Sequence, residues 1–313
     1  TRRAGYGEQA RFALRSLRAH PDRFNILIQD IPWGKSGQVS EDSEEQAFIR
    51  ETITKTQQHI QQQLPIDMTL QVTIPNEFKK LAPVNIGYTA GIETTRVSPQ
   101  WIEKSSLMDK IILVSNHSKD IYEKTSYEGT DTQTGEKVII KTQVPMEVVN
   151  YPVRSLETED LGIELKHDFN FLTIAQMGPR KNLTNTIRWF LEEFQNDEVG
   201  LVVKTNLMNC CTADGQYCLQ AMKAMTTDFP DRKVPQEAVW DGVIQPDSGW
   251  CYPTQEGSKS AMRDVHSNYS SYVGMARKLK KHILKNFTEE QMTTKFANAV
   301  CEKEESFDVE NWL

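Results

Sequence analysis

Residues 167–206, HDFNFLTIAQMGPRKNLTNTIRWFLEEFQNDEVGLVVKTN, predict a strand, a turn, a helix and a second strand. Residues 169–175 are mostly apolar, and a Gly-Pro pair beginning at Gly178 follows them. Large apolar residues then recur at helical spacing over residues 187–194, with glutamates on the other face. Residues 199–203 form a second continuous apolar run, of the kind that is buried in a parallel sheet. This order of features predicts one βαβ crossover.

The first turn of that unit carries the candidate chemistry. Arg180 and Lys181 follow Gly178 where the helix is about to begin. A helix N-terminus presents unpaired N–H groups and the positive end of a dipole, so two cations beside it make a favourable seat for a diphosphate. Lys204 and Asn206 end the second strand and are expected at the same edge of the sheet. The alternative is a set of solvated basic residues at loop and strand ends, and spacing alone leaves both interpretations open.

The run from 171 to 194, with its PRKNL core, resembles the start of the C-terminal domain of GT-B glycosyltransferases. It is most similar to the large, mostly retaining group 1 (family 4-like) branch, which uses nucleotide sugars. In that branch the basic residues after this strand hold the donor's diphosphate. The resemblance therefore implies a donor-binding site whose members are Gly178, Arg180, Lys181, Lys204 and Asn206. It also implies two Rossmann-like domains and a metal-independent, retaining hexosyl transfer in the cleft between them.

The remaining apolar runs also favour an α/β fold. Strands are predicted at residues 24–31, 68–74, 84–89, 110–115 and 148–153, and helices at residues 10–19, 44–63 and 259–286. Residues 115–118 are expected to cap a further helix, and residues 128–137 to form the tip of a hairpin.

The segment AGYGEQAR, residues 4–11, places Gly5, Tyr6 and Gly7 before the first predicted helix. A glycine-rich loop that opens a helix lets a ligand approach the backbone in Rossmann-like domains. In the resembled family such a loop borders the acceptor and phosphate side of the cleft, so these residues are candidates for ligand binding. A flexible lead-in to the helix is the alternative interpretation.

The segment NIGYTAGIETT, residues 85–95, predicts a strand followed by an open turn at Gly91. Ligands bind outside the carboxyl ends of strands in α/β sheets, and Glu93 lies just past such an end. Relatives in the resembled family carry a His or acidic residue near this position, in contact with the sugar or acceptor. Glu93 is therefore the candidate catalytic residue, and the alternative is a surface or helix-capping glutamate.

The resemblance implies a two-domain organisation with a short linker. Residues 1–154 would form the N-terminal acceptor domain, residues 155–166 the linker and residues 167–286 the donor-binding domain. Residues 287–313 would contain a final helix that packs back on the N-terminal domain, with Thr288 and the following glutamates typical of a helix start.

The donor-binding domain is expected to be incomplete. Residues 167–233 supply two strands and two helices, fewer than a Rossmann-like domain needs. The family's EG-x-G-x-P signature for the donor ribose and sugar occurs nowhere in the chain. We therefore expect a missing segment of roughly 80–120 residues near positions 233–234, judged by whole Rossmann-like domains. A true deletion there would remove part of the donor site.

The composition of the chain limits the classes of partner and metal that it is expected to bind. The chain has 313 residues, a net charge of −7 and a pI near 5.5, which argues against tight binding of nucleic acid by its whole surface. No apolar run is long enough to span a bilayer. The cysteines are odd in number, lack C-x-x-C spacing and favour free thiols in a cytoplasmic protein over a zinc site: Cys210, Cys211, Cys218, Cys251 and Cys301.

These observations rank three functions. The first is a glycosyltransferase with a UDP or GDP sugar as donor, no other cofactor and no metal. Its acceptor (a glycan, lipid, protein or modified DNA base) and its oligomeric state are left open. The second is a non-catalytic GT-B-like binding or partner subunit with an incomplete donor site. The third is a dinucleotide-dependent oxidoreductase, ranked last because no G-x-G-x-x-G follows a strand.

Overall fold

The computed structural model describes residues 5–31, 43–130, 133–207, 211–224 and 253–302. The chain divides into two compact units. Unit 1 comprises Thr1–Pro32, Val39–Arg154 and Asn286–Leu313, and unit 2 comprises Trp33–Gln38 and Ser155–Lys285.

The described chain contains nine α-helices and eight β-strands. In chain order they are α1 Gly5–Arg18, α2 Glu44–Gln61, β1 Met68–Val72, β2 Val84–Thr89, α3 Pro99–Ser105, β3 Lys110–Leu113, α4 Asn116–Lys124, β4 Ser126–Thr130, β5 Lys137–Lys141, β6 Met146–Val148, β7 Phe169–Ile174, α5 Leu183–Glu193, β8 Val199–Lys204, α6 Thr212–Ala224, α7 Gln255–Ser267, α8 Tyr269–Asn286 and α9 Glu289–Val300.

A four-stranded parallel sheet organises unit 1, in the order β1-β2-β3-β6. Tyr88 of β2 lies opposite Ile112 of β3, and Ile112 lies opposite Glu147 of β6. The central strands are almost fully buried, as expected for a parallel sheet with helices on both faces. The predicted α/β class with a parallel sheet is therefore confirmed.

One face of this sheet is covered by α1 and α9, which are far apart in the sequence. The Phe296 ring of α9 lies 5.4 Å from the Phe12 ring of α1 and 4.8 Å from the Tyr88 ring, measured between centroids. All three side chains are at most 2% exposed. The guanidinium of Arg15 joins the same helices at their rim, with Glu289 at 3.0 Å and Glu45 of α2 at 3.1 Å. Residues from both ends of the described chain thus complete one core.

The opposite face is covered by aromatic side chains from α3 and α4. Trp101 and Tyr122 are buried, and their rings stack with centroids 6.0 Å apart. Gly87 of β2 faces this side, because a Cβ there would come within 2.5 Å of the Phe78 ring. The predicted hairpin is also present, with β4 and β5 paired antiparallel.

The expected strand at residues 24–31 is wrong. No strand or helix is assigned to these residues, and their apolar side chains are only half-buried. The Ile28 N–H donates to the Thr56 hydroxyl of α2 at 2.8 Å instead of to a neighbouring strand. An apolar run is stabilised by burial both in a β-sheet and in an irregular segment that packs against a helix. The sequence pattern therefore does not distinguish the two structures.

The expected single helix over residues 259–286 is also divided. Asn268 ends α7 with φ −117° and ψ 30°, and α8 begins at the next residue. The Asn268 side-chain amide donates to Asp264 at 2.6 Å, and Tyr272 donates its hydroxyl hydrogen to the same carboxylate. Asn competes for local polar groups in this way, which makes it a weak helix former.

Unit 2 contains the predicted βαβ crossover. β7 and β8 pair in parallel from Phe169↔Val199 to Ile174↔Lys204, with α5 between them in the chain. Phe190 of α5 and Phe194, which follows the helix, are buried against Val199 and the strand residue Phe171. The Arg263 side chain of α7 extends the packing through ion pairs with α5 and the turn that follows it.

Part of the predicted donor-binding domain lies outside the described residues. The expected missing segment near positions 233–234 falls between α6 and α7, in residues 225–252. Within the described chain, no helix combines the length and apolar character needed to cross a membrane.

Candidate functional site

The five candidate donor residues meet at one edge of the unit 2 sheet. β7 and β8 run in the same direction, and their pairing continues past the strand ends. Ala175 donates its N–H to the carbonyl of Lys204 at 3.1 Å, and Met177 donates to that of Asn206 at 3.0 Å. Gly178 and the turn after it therefore begin beside Asn206. We call this group the basic edge: Gly178, Arg180, Lys181, Lys204 and Asn206.

The turn that carries the cations has a defined backbone. Gly178 is extended, and Pro179–Lys181 form one turn of 3₁₀ helix. Asn182 then adopts the left-handed conformation, with φ 51° and ψ 29°, before α5 begins. Asn tolerates this region better than most side chains, which explains its presence at the junction. The side chain of Asn182 does not cap the N–H groups of α5.

The basic edge has an excess of positive charge. Arg180, Lys181 and Lys204 are exposed. No Asp or Glu occurs in residues 175–186 or 204–207. The edge therefore has the sign of charge that a phosphate group requires, with the dipole of α5 adding to it.

Beside the basic edge lie buried polar atoms that the sequence did not predict. Asn185 donates to the Oδ1 of Asn182 at 2.6 Å, which leaves Asn182 Nδ2 and Asn185 Oδ1 buried without partners among the described residues. The hydroxyl of Thr205, between two residues of the basic edge, is in the same state. Buried polar atoms are normally hydrogen-bonded, so these atoms are suited to hold water or polar groups of a ligand. The sequence feature that could have indicated this polar cluster is the pair of asparagines three residues apart at the start of α5.

A second polar cluster lies at the carboxyl end of β2 in unit 1. The hydroxyl of Tyr6 bonds to the Thr89 hydroxyl at 2.8 Å and accepts the Ala90 N–H at 3.3 Å. The predicted glycine-rich loop is wrong, because Gly5, Tyr6 and Gly7 form the first turn of α1. Glu8 in that turn accepts from Arg11 and Arg15, and a carboxylate at this position stabilises a helix N-terminus.

Gly91 is required by a close contact in the turn after β2. Its φ is +78°, and a Cβ at this position would come 2.1 Å from the Ser118 hydroxyl oxygen. Ser118 lies in the first turn of α4, and its hydroxyl donates to the Ala90 carbonyl at 3.4 Å. Ser115 caps α4 as expected, accepting from the Ser118 N–H at 3.2 Å. Glu93 is an exposed residue of the same turn, and its catalytic role stays a prediction.

An uncharged network, buried except at Tyr151, extends this cluster. Gln9 is 1% exposed and accepts from the Tyr151 hydroxyl at 2.8 Å, while its Nε2 has no partner among the described residues. The hydroxyl of Tyr88 is likewise buried and without a described partner. We call this group the neutral edge: Tyr6, Gln9, Tyr88, Thr89 and Tyr151. An amide on the apolar face of α1, three residues before Phe12, was the sequence signal for it.

The phenols of the neutral edge stay protonated. Burial raises the pKa of Tyr88 well above its ordinary value, and the neighbouring phenols of Tyr151 and Tyr6 add to the shift. Burial also raises the pKa of Tyr6, against the opposing effect of its hydrogen bond to Thr89. The neutral edge therefore offers hydrogen-bonding groups without charge, in contrast to the basic edge.

Comparisons with protein-family models, with curated proteins and with solved structures found no match to this chain. The geometry of the two edges therefore supplies the structural evidence on function.

The described residues contain no group of three or more His, Cys, Asp or Glu side chains placed to hold a metal ion. Cys211, Cys218 and Cys301 are free thiols, while Cys210 and Cys251 lie outside the described residues.

Proposed function

We propose that this chain is a glycosyltransferase that takes a sugar from a nucleotide-diphosphate sugar and holds the diphosphate at the basic edge of unit 2. The observation that carries the proposal is the meeting of three cations with the N-terminus of α5 at one sheet edge, as set by the β7–β8 pairing. The resemblance of the PRKNL segment to nucleotide-sugar glycosyltransferases supports the same assignment.

The basic edge suits a diphosphate chemically. Arg180 presents a planar fork that can donate two parallel hydrogen bonds to phosphate oxygens, and Lys181 supplies a compact charge. Negative charge develops on the diphosphate as the sugar departs. Fixed cations that are already in place stabilise that charge without reorganisation, and this lowers the barrier. In this proposal Gly178 allows close approach of the diphosphate, while Lys204 and Asn206 contact it from the second strand.

The neutral edge of unit 1 is the proposed acceptor side. The 44% exposed Tyr151 is the phenol of this edge that a neutral, hydroxyl-bearing acceptor could reach, and the exposed carboxylate of Glu93 lies in the turn after β2. The buried groups of Gln9, Tyr88 and Thr89 lie behind it in the same network. We assign Gly5, Tyr6 and Gly7 to this side, with Glu93 as the candidate catalytic residue. The resemblance alone favours a retaining outcome.

A non-catalytic binding subunit is the second candidate. It is favoured by the small extent of the described unit 2 sheet, which has two strands, β7 and β8. A subunit of this kind would bind a nucleotide diphosphate without transferring a sugar.

Thermal shift with UDP, GDP and ADP tests the donor site. A nucleotide at about 100 times its Kd should stabilise the protein by about 2.7 kcal/mol. In the Arg180→Ala/Lys181→Ala variant that nucleotide should bind at least about tenfold more weakly, because each charge-assisted hydrogen bond contributes roughly 1.5–3 kcal/mol. The matched control is Lys79→Ala/Lys80→Ala, an adjacent and exposed basic pair in unit 1, which should bind like the unmodified protein.

Release of the free nucleotide from the matching nucleotide sugar separates the two candidates. Turnover that depends on Arg180 and Lys181 supports the enzyme. Binding without turnover, with or without candidate acceptors, favours the subunit. Stabilisation that survives in the Arg180→Ala/Lys181→Ala variant contradicts the basic edge as the diphosphate site.

A further inference from the structure

Helix α8 exposes several of its apolar side chains to solvent. None of its 18 residues is buried. Four large apolar side chains are about half exposed or more: Tyr269 at 53%, Met275 at 52%, Leu279 at 58% and Leu284 at 49%. The start of the helix is anchored in unit 2, where the Tyr269 ring lies 5.1 Å from that of Phe169. A helix in a folded domain usually buries its apolar side chains, so this exposure indicates a surface that binds another molecule or a membrane.

The charge of α8 is opposite to that of the chain. The helix contains no Asp or Glu, whereas the whole chain has a net charge of −7. Its basic residues are all exposed: Arg277, Lys278, Lys280, Lys281 and Lys285. A local positive charge of this size attracts an anionic surface even when the rest of the protein is acidic.

Most of the apolar and basic side chains lie on different sides of the helix, while Arg277 and Leu284 lie side by side at the boundary between them. Successive residues are rotated by about 100°, so Met275, Leu279 and Ile283 share one half of the helix surface. Lys278, Lys281 and Lys285 share the other half by the same rotation. Lys280 falls on the apolar side, where its long stem can lie along the apolar surface while its ammonium group reaches water.

We propose that α8 lies flat on an anionic lipid surface and attaches the protein to a membrane. Amphipathic helices of this composition insert their apolar side chains at the boundary between headgroups and acyl chains, while lysines contact anionic headgroups. A nucleic acid would neutralise the same lysines but would leave Met275 and Leu279 in water, because its backbone offers charge and no apolar interior. Among the described residues no ion pair is made by these cations, and their combination with exposed aliphatic side chains therefore favours lipid. This inference stands apart from the proposed donor site.

Sedimentation of the full chain with vesicles tests the proposal. Vesicles of phosphatidylcholine alone are compared with vesicles containing equal parts of phosphatidylcholine and phosphatidylglycerol. We expect binding to the anionic vesicles that weakens as salt is added, with little binding to the neutral ones. Hydrogen exchange should show added protection of the α8 amides when anionic vesicles are present.

Two variants and one matched control make the test specific. Lys278→Glu/Lys281→Glu/Lys285→Glu should weaken binding by about tenfold or more, since each basic residue near the surface contributes to the attraction. Met275→Ser/Leu279→Ser keeps every charge and should weaken binding as well, because it removes two exposed side chains from the apolar half of the helix. The control Lys79→Glu/Lys80→Glu/Lys137→Glu changes three exposed residues of unit 1 by the same charge and should bind vesicles like the unmodified protein.

Three results would overturn the proposal. One is the absence of binding to anionic vesicles by the folded protein. Another is an equal loss of binding in the unit 1 control, which would assign the effect to net charge. The third is binding to duplex DNA that exceeds vesicle binding and is unchanged by the two serine substitutions, which would assign α8 to nucleic acid. Every substituted side chain is exposed, so circular dichroism should show an intact fold.

Discussion

Tyr6 and Tyr88 illustrate how neighbouring phenols of one cluster differ in energetic role. The hydroxyl of Tyr6 bonds to Thr89 and to the Ala90 N–H. The hydroxyl of Tyr88 is buried without a partner among the described residues. A buried hydroxyl without a partner costs free energy, whereas a bonded one contributes a little. The same residue type therefore stabilises the fold at one position and opposes it at the other.

Removal of each hydroxyl should change stability in opposite directions. Tyr88→Phe should leave the free energy of unfolding unchanged or raise it, because no described hydrogen bond is lost. Tyr6→Phe should lower it by about 1–2 kcal/mol, since the hydroxyl makes two hydrogen bonds. Urea denaturation of the pair at neutral pH measures both effects. A Tyr88→Phe variant that is less stable than Tyr6→Phe would contradict the assignment.

The Tyr88 phenol also predicts how stability depends on pH. Its pKa is raised in the folded state, while an unfolded tyrosine ionises near pH ~10. The unfolded chain therefore loses this proton first, so its contribution to stability is complete below pH ~10 and is lost as the pH rises further. The alkaline decline in stability should be shallower in Tyr88→Phe than in the unmodified protein, as measured by urea midpoints on both sides of that pH.

Among the elements, α9 and α8 form a contrasting pair. Both are amphipathic helices near the end of the described chain. Thr288 and Gln291 form a capping box at the start of α9, whose apolar side is buried against α1 and β2. α8 has no buried residue. The contribution of each helix to stability therefore depends on what covers it, not on its sequence pattern.

Truncation of one side chain in each helix should separate these cases. Phe296→Ala in α9 should lower the free energy of unfolding by about 3–5 kcal/mol, because a fully buried ring is removed from between Phe12 and Tyr88. Leu279→Ala in α8 should change it by less than about 0.5 kcal/mol, because the side chain is exposed. Equal effects, measured by urea denaturation, would show that α8 is buried in the folded protein.

At the scale of the whole molecule, the chain leaves unit 1 and returns to it. Unit 1 ends at Arg154 and resumes at Asn286, after all of the described helices and strands of unit 2. The returning segment is joined to unit 1 next to Arg154, where Val153 donates its N–H to the Phe287 carbonyl at 2.7 Å. The intervening residues 155–166 are exposed and carry no helix or strand. A cut in that segment would therefore place α9 and the rest of unit 1 on different fragments.

A specific protease site inserted after Asp160 tests this organisation. After cleavage the two fragments should stay together, because α9 on the second fragment is buried against α1 and β2 on the first. Size-exclusion chromatography should show one species in native buffer and two in urea. The Phe296→Ala variant should dissociate more readily after the same cleavage. Separation of the unmodified fragments in native buffer would show that α9 does not hold unit 1 together.

Local sequence determined the elements whose signals lie within a few residues of one another. The apolar runs at residues 169–175 and 199–203 predicted the strands β7 and β8, which pair in parallel although both are only partly buried. Ser115 and Thr288 predicted the starts of α4 and α9. These predictions succeeded because capping bonds and apolar runs are short-range features. The meeting of the basic-edge residues was predictable for the same reason, since parallel strands of one crossover end at the same edge.

The tertiary structure alone decided the features that depend on distant partners. The segment at residues 24–31 packs by α2, with Thr56 accepting the Ile28 N–H. Gln9 is buried because Tyr151, 142 residues away in the chain, supplies its hydrogen bond. Exposure separates α8 from α9, although both patterns predict an amphipathic helix. In each case the free energy depends on which surface removes the side chain from water, and that surface is assembled only when remote segments meet.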